Sequence, residues 1–195
     1  RRMYENNENI FYYLTLMNEN YQHPAIPEEK DIADQIIKGI YKLESVESAS
    51  AKAKVQLMGS GTILLQVREA AQILANDYGV SSDVYSVTSF NELAREGQEV
   101  VRQNMLNPES EQATPYIGQV ITKENGPAIA ATDYVKAYSD QVRAFIDSEY
   151  RCLGTDGFGR SDSRANLRRH FEVNAAYIVV ASLFELANRG DVDRK

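Results

Sequence analysis

The chain has 195 residues, enough for one good-sized domain or for a domain with a piece of another. Its formal net charge of -7 argues against a nucleic-acid partner, because phosphate backbones are bound by basic surfaces. No apolar run has the length of a membrane span, so we expect no membrane partner. The single cysteine, Cys152, excludes an internal disulfide and favours a reducing, cytoplasmic location.

The first segment, "IFYYLTLM" at 10–17, is rich in aromatic and β-branched residues and predicts a strand. Asparagines and prolines then predict a linker over 18–31. No partner strand follows nearby. We therefore expect the chain to be part of a longer protein.

The middle of the chain alternates between strand and helix patterns. Strands are predicted at 53–61 and 82–90, and helices at 62–79 and 91–106. The first helix ends at Gly79. Its apolar face consists of Ile63, Leu64, Val67, Ala70, Ala71, Leu74 and Tyr78.

The same alternation continues to the end. Strands are predicted at 115–121, 127–133 and 150–154, with helices at 132–146 and 174–190. The apolar face of the helix predicted at 132–146 consists of Val135, Tyr138, Val142 and Phe145. Alternating strands and helices predict an α/β fold with helices on both faces of a sheet.

Two glycine-rich segments follow predicted strands, "MGSGT" at 58–62 and "LGTDGFGRS" at 153–161. Ligands of α/β sheets bind at such carboxyl ends. The first segment lacks both the Walker lysine and the G-x-G-x-x-G spacing. A phosphate cradle and a plain strand-to-helix turn, capped by Ser60 or Thr62, are therefore both open.

The second segment leads into a basic helix that Ser161 or Ser163 can cap. Arg164 and Arg168 are four residues apart and share one face. The predicted anion or partner contact consists of Arg160, Arg164, Arg168 and Arg169. The alternative is a solvated face whose arginines pair with carboxylates.

Catalytic side chains are sparse in this sequence. His23, His170 and Cys152 have neither the spacing of metal ligands nor that of a nucleophile and its base. Asp133, Asp156 and Asp162 can act as acid or base, but helix and turn capping explains them as well.

Several strings carry a family resemblance: "YYLTLMNENY", "VQLMGSGTILLQVREAAQILANDYGV", "SDVYSVTSFNELAREGQ" and "YRCLGTDGFGRSDSRANLRRHFEV". They resemble the homodimeric, bacterial-type pyruvate dehydrogenase first components, which are thiamine diphosphate enzymes of the transketolase-like superfamily. The resemblance covers almost the whole chain and is weakest over 107–126.

The resemblance implies a domain division and a fold. Residues 1–27 match the end of the pyrimidine-binding domain plus a linker, and residues 28–195 match the transketolase-like C-terminal domain. That domain is a three-layer α/β/α fold with a five-stranded, mostly parallel mixed sheet. Transketolases carry a phosphate-binding arginine about where Leu16 stands, so the resemblance favours an unphosphorylated 2-oxo acid substrate.

The resemblance also implies an activity for the longer parent. Such enzymes decarboxylate pyruvate on thiamine diphosphate and Mg²⁺, then reductively acetylate lipoyl groups of the acetyltransferase. The motifs that bind this cofactor are not in these 195 residues, so no catalytic, cofactor or metal residue is assigned and the isolated chain is expected to be inactive. The expected partners are the parent's other domains, a second subunit and, through the full-length chain, the lipoyl acetyltransferase.

The glycine-rich loop and the start of the basic helix are, by the resemblance, a structural or interface element. We expect Phe158 to pack underneath the loop and Ser161 to cap the helix. The candidate residues are Gly154, Asp156, Gly157, Phe158, Gly159, Arg160, Ser161, Arg164 and Arg168. The alternatives are a stand-alone α/β module that binds an anion or nucleotide, and a dimerisation domain that uses apolar helix faces such as 174–190.

Overall fold

A computed structural model of the chain describes residues 1–12, 14 and 19–194. Most of the strand predicted at 10–17, including Leu16, lies outside the described residues. From residue 19 to residue 31 the described backbone contains no helix or strand. This irregular backbone is what the predicted linker requires, and the division into two domains stays a prediction.

The described residues form one five-stranded sheet in the order β1-β3-β2-β4-β5. The strands are β1 (Ile40–Val46), β2 (Ala53–Gly59), β3 (Val80–Val87), β4 (Ala128–Ala131) and β5 (Tyr150–Leu153). The edge strand β1 is antiparallel to β3, and all other neighbours are parallel. The predicted mostly parallel mixed sheet is confirmed.

Helices connect the strands on both faces. They are α1 (Ile32–Lys38), α2 (Ile63–Ile73), α3 (Phe90–Leu106), α4 (Tyr116–Val120), α5 (Lys136–Asp140), α6 (Arg164–His170) and α7 (Ala175–Arg189). A π-helical turn, Leu74–Tyr78, prolongs α2, and 3-10 turns lie at Lys123–Asn125 and Arg143–Phe145.

The sheet lies between two apolar clusters, which confirms the three-layer arrangement. On one face, α2 and α7 pack on the sheet through residues such as Val67, Leu74 and Ile178. On the other face, α3 and α4 pack through residues such as Phe90 and Ile117. These side chains are fully buried, so each contributes about 1.5–3 kcal/mol of transfer free energy.

The helix α2 follows its sequence pattern closely. Six of the seven residues predicted on its apolar face are buried, and Tyr78, in the π-helical turn, is 47% exposed. Gly79 ends the helical segment in the left-handed conformation with φ 67°. The predicted position of the helix and its predicted end at Gly79 are both confirmed.

The strand predicted at 115–121 is wrong, since this segment contains the short helix α4. Pro115 precedes the helix, and the Glu96 carboxylate accepts a hydrogen bond from the Tyr116 backbone N–H at 3.0 Å. Gln56, on β2, accepts from Thr122 N at 3.2 Å just beyond the helix. Distant side chains satisfy the backbone at both ends, so the β propensity of the residues does not decide their structure.

The single helix predicted at 132–146 is also wrong, because only α5 and a 3-10 turn form there. Val142 is buried as expected, but Val135 is half exposed. The Tyr150 hydroxyl donates to the Ser139 carbonyl at 2.8 Å, and Arg143 Nη1 donates to the Tyr150 carbonyl at 2.6 Å. These hydrogen bonds to β5 take the place of the continuous backbone hydrogen bonds of a single helix.

One described helical stretch, 164–189, has the length and hydropathy of a membrane span. The backbone divides it at Glu172, which has φ 60°, into α6 and α7. The 15 residues of α7 rise about 22 Å, less than the ~30 Å hydrocarbon core of a bilayer. Its residues Ile178 and Leu186 lie in the core beside α2. The apolar composition of α7 is that of a core helix.

Candidate functional site

The topology creates a crevice at the carboxyl edge of the sheet. From β2 the chain moves to β3 on one side, and β4 lies on the other side of β2. This reversal is the place where ligands bind in open α/β sheets. The loops after β2 and β4 are joined there, because Ser60 Oγ donates to Thr132 Oγ1 at 2.8 Å.

The glycine-rich loop after β5 is anchored at its base. The Thr155 backbone N–H donates to the Tyr134 carbonyl at 2.8 Å, and the Asp156 carboxylate accepts from Lys136 N at 2.8 Å. A side chain on Gly154 would meet the same backbone at 2.7 Å. The base of the loop therefore packs directly against the segment that follows β4.

The tip of the loop is open. Gly157 has φ 86°, and within the described chain no atom beyond the adjacent residues lies within 4 Å of a Cβ added at Gly157 or Gly159. Phe158, between them, is 95% exposed. The expectation that Phe158 packs underneath the loop is wrong, because the open backbone on both sides presents the ring to solvent.

Of the two serines that can cap α6, the structure uses Ser163. Its hydroxyl accepts from Asn166 N at 3.4 Å. The carboxylate of Asp162 accepts from the Asn166 side chain at 2.8 Å and from Ser163 N at 2.6 Å, and these bonds lower the pKa of Asp162. The prediction that Ser161 caps the helix is wrong, since Ser161 lies two residues before the N-cap.

A cavity of about 400 Å³ opens between this loop, α6 and the start of α2. The arginines that line it are Arg160, Arg164 and Arg168, whereas Arg169 is not part of the lining in the described chain. Apolar side chains of Ile63, Leu167, Phe171 and Val173 also line it. The pocket thus combines guanidinium groups with an apolar surface.

The linker contacts Arg164, one of the arginines of the pocket. Arg164 Nε lies 2.7 Å from the Glu19 carboxylate, and its guanidinium lies 5.9 Å from the ring of Tyr21. The hydrogen bond from Arg164 lowers the pKa of Glu19 and, in turn, raises that of Arg164. The alternative interpretation, that the arginines pair with carboxylates, therefore holds for Arg164.

Arg168 has a different environment. Its Nη2 donates to the hydroxyls of Tyr21 and Thr62, each at 3.4 Å, and it forms no ion pair within the described part of the chain. Tyr21 and Thr62 lie 147 and 106 residues away from it in sequence. No local pattern links these residues, so the sequence predicts the arginines but not their partners.

The other candidate groups are dispersed. Among residues 1–12, 14 and 19–194, no three His, Cys, Asp or Glu side chains lie close enough to hold a metal ion. Cys152 is partly buried and its Sγ lies 3.6 Å from an Asp140 carboxylate oxygen. Burial raises the pKa of this thiol, so little thiolate forms at neutral pH.

Two family models match the chain. The transketolase-like TK C-terminal domain matches residues 39–174, and the middle domain of the pyruvate dehydrogenase E1 component matches residues 1–24. The two matched ranges are separated by residues 25–38, which include the second half of the linker.

The curated relatives include pyruvate dehydrogenase E1 components from Escherichia coli K12 and Haemophilus influenzae. They are 60% and 57% identical to the chain, and each alignment covers 100% of it. A third, from Pseudomonas aeruginosa, is 50% identical. The chain spans about a fifth of the length of these relatives, 21–22%.

Solved transketolases share the fold. One from Pichia stipitis in complex with sedoheptulose 7-phosphate has a TM-score of 0.52 at 15% identity, covering 80% of this chain and 19% of that chain. One from Leishmania mexicana has a TM-score of 0.50 at 17% identity, with the same coverage. At such identities the likeness establishes the fold alone.

Proposed function

Because the chain belongs to the family of transketolase-like C-terminal domains, we propose that it is the C-terminal domain of a pyruvate dehydrogenase E1 enzyme. The full-length enzyme decarboxylates pyruvate on thiamine diphosphate and Mg²⁺ and reductively acetylates lipoyl groups of the acetyltransferase. The chain contributes to the architecture of that enzyme and is inactive alone. The observation that carries the proposal is 60% identity to such a component across the whole chain.

The proposal assigns the cofactor to other domains. A diphosphate-bound Mg²⁺ needs oxygen ligands brought together at one site. Among the described residues no three His, Cys, Asp or Glu side chains lie together at one site. We place thiamine diphosphate, Mg²⁺ and the reacting pyruvate outside residues 28–195.

The proposed domain division follows the linker. Residues 1–27 are the end of the preceding domain plus the connection, and residues 28–195 are the C-terminal domain. The family matches at 1–24 and 39–174 support this division. The connection is held to the domain by the Glu19–Arg164 ion pair.

The loop that carries Phe158 is proposed to contact another domain or the second subunit of a cytoplasmic homodimer. Phe158 is 95% exposed at the tip of an anchored loop. Aromatic residues are enriched in protein interfaces, which supports this proposal. We expect F158A to destabilise the full-length enzyme but not the isolated chain, in which the ring contacts solvent.

The alternative surface on α7 is tested by F184A, since Phe184 is half exposed. Thermal unfolding of both variants in both forms distinguishes the two surfaces.

The activity is tested by comparing two proteins in one assay. The 195-residue chain and the full-length enzyme are each supplied with thiamine diphosphate, Mg²⁺ and pyruvate, and decarboxylation is followed with an artificial electron acceptor. We expect turnover by the full-length enzyme only, with circular dichroism showing that the chain is folded. Turnover by the chain alone contradicts the proposal.

The stand-alone anion-binding module is not favoured as the main function, because the relatives that match are about five times longer.

A further inference from the structure

We propose that the cavity at the carboxyl edge of the sheet binds a phosphomonoester with an apolar body, such as a mononucleotide. The phosphoryl group binds to Arg160 and Arg168, and the body lies on Leu167 and Phe171. This site goes beyond the proposed function, because thiamine-dependent decarboxylation requires no ligand here.

The charge balance of the pocket leaves a cationic position open. Glu19 forms its ion pair with Arg164, at 2.7 Å, and interacts with Arg168 only at longer range. Arg168 contacts only neutral hydroxyls, both at the long distance of 3.4 Å, as far as the described residues show. A guanidinium has five N–H donors, and phosphate oxygens satisfy them in pairs at shorter distances. An anion therefore improves the environment of Arg168 beyond what the protein itself supplies.

Hydroxyl groups are positioned to complete the coordination of a phosphoryl group. Thr62 is buried and precedes α2, and its oxygen accepts from Arg168. Its oxygen accepts no cap hydrogen bond from the described helix. A hydroxyl donates as well as accepts, so a phosphate oxygen at this position can accept from Thr62. Gly157 and Gly159 border the same cavity, and their missing side chains leave the approach from the loop open.

The apolar surface indicates that the ligand is larger than a bare ion. Leu167 and Phe171 are partly exposed and line the cavity, above the almost fully buried Ile63 and Val173. A volume of about 400 Å³ lies in the usual range of small-molecule sites. The carboxylate of Asp133 at the same cavity disfavours a highly charged anion and accepts hydrogen bonds from hydroxyl groups of a ligand. These features together fit a sugar phosphate attached to a flat apolar group.

The experiment titrates the full-length enzyme with AMP, adenosine and inorganic phosphate by isothermal calorimetry. We expect saturable AMP binding that is at least tenfold weaker in R168Q and in R160Q, and weaker binding of adenosine and of phosphate. R95Q is the matched control, because Arg95 pairs with Glu92 on the exposed face of α3. Its AMP affinity is expected to equal that of the unmodified enzyme.

Three results overturn the inference: no saturable AMP binding, equal binding of adenosine, or unchanged affinity in both R168Q and R160Q. R160Q keeps the test decisive if R168Q does not fold, because Arg160 is exposed. Pyruvate turnover of the unmodified enzyme is measured in the same preparation without AMP. Turnover without AMP binding refutes the site alone, and AMP binding without turnover refutes the proposed activity alone.

Discussion

The sheet interior and the carboxyl-edge pocket hold charged groups in opposite ways. In the interior, the Asp83 carboxylate of β3 is 3% exposed and accepts hydrogen bonds from Lys42 at 2.7 Å, Lys54 at 2.9 Å and Ser45 at 2.7 Å. These partners come from β1 and β2, which flank β3. At the edge, Arg168 is half-buried, and its Nη2 donates to two hydroxyls, each at the long distance of 3.4 Å. A charge enclosed by its partners stabilises the sheet, whereas a charge left open is available to a ligand.

The largest expected difference concerns two glycines with positive φ. Gly126 has φ 88°, and a side chain there would collide with the Lys54 carbonyl oxygen of β2. Gly157 has φ 86° but open surroundings. We expect G126A to cost about 3–5 kcal/mol of unfolding free energy, because collision adds to strain. G157A is expected to cost about 1–2 kcal/mol from strain alone. Urea denaturation measures both, and equal losses would contradict the contrast.

Removing the enclosed charge is expected to have the next largest effect. D83N keeps the shape of the side chain but loses charge-assisted hydrogen bonds to two lysines. We expect a loss of about 2 kcal/mol, below the usual cost of breaking a buried pair because both lysines can turn to solvent. R168Q, at the open site, is expected to change stability by only about 0.5 kcal/mol. The same urea titration compares the two, and a larger loss for R168Q would refute the assignment of roles.

The contribution of Asp83 depends on pH. Burial acts to raise its pKa, but the hydrogen bonds from Lys42, Lys54 and Ser45 outweigh burial and hold the pKa below its ordinary value. Stability from this group is therefore present above the unfolded value of about 3.9 and is lost as pH falls through the folded pKa. We expect the stability gap between the unmodified chain and D83N to shrink below about pH 4. A gap that stays constant from pH 7 to pH 3 would show that Asp83 is not the titrating group.

The smallest expected effect distinguishes the two serines before α6. S163A removes the oxygen that accepts from Asn166 N, and should cost about 0.5–1 kcal/mol. S161A is the matched control, and should leave stability unchanged because Ser161 is exposed and outside the cap. Hydrogen exchange of the α6 amides measures the local effect. Faster exchange in S161A than in S163A would reverse the assignment of the cap.

The sequence predicts the parts of the fold in which local pattern and tertiary packing agree. The face of α2 and its end at Gly79 have both a helical period and a left-handed stop. The strand β1 was not predicted, because it is an edge strand with a bulge between Lys42 and Glu44. The sequence of α4 is typical of a strand. It forms a helix because Glu96 and Gln56, on distant elements, satisfy the backbone at its two ends.

The candidate site was predictable to a similar extent. The sequence identifies the loop and the arginines, because glycines and a basic helix follow a predicted strand. It does not identify Tyr21 and Glu19 as their partners, since these residues approach from the linker, far away in the chain. Nor does it reveal the exposure of Phe158, which depends on how the base of the loop packs against Tyr134 and Lys136.

Thiamine diphosphate binding tests the central claim most directly. The 195-residue chain and the full-length enzyme are titrated side by side with thiamine diphosphate in the presence of Mg²⁺, by calorimetry. We predict saturable binding to the full-length enzyme and none to the chain, as expected for an accessory C-terminal domain. Saturable binding to the chain would place the cofactor site within these residues and contradict the proposed division of the enzyme.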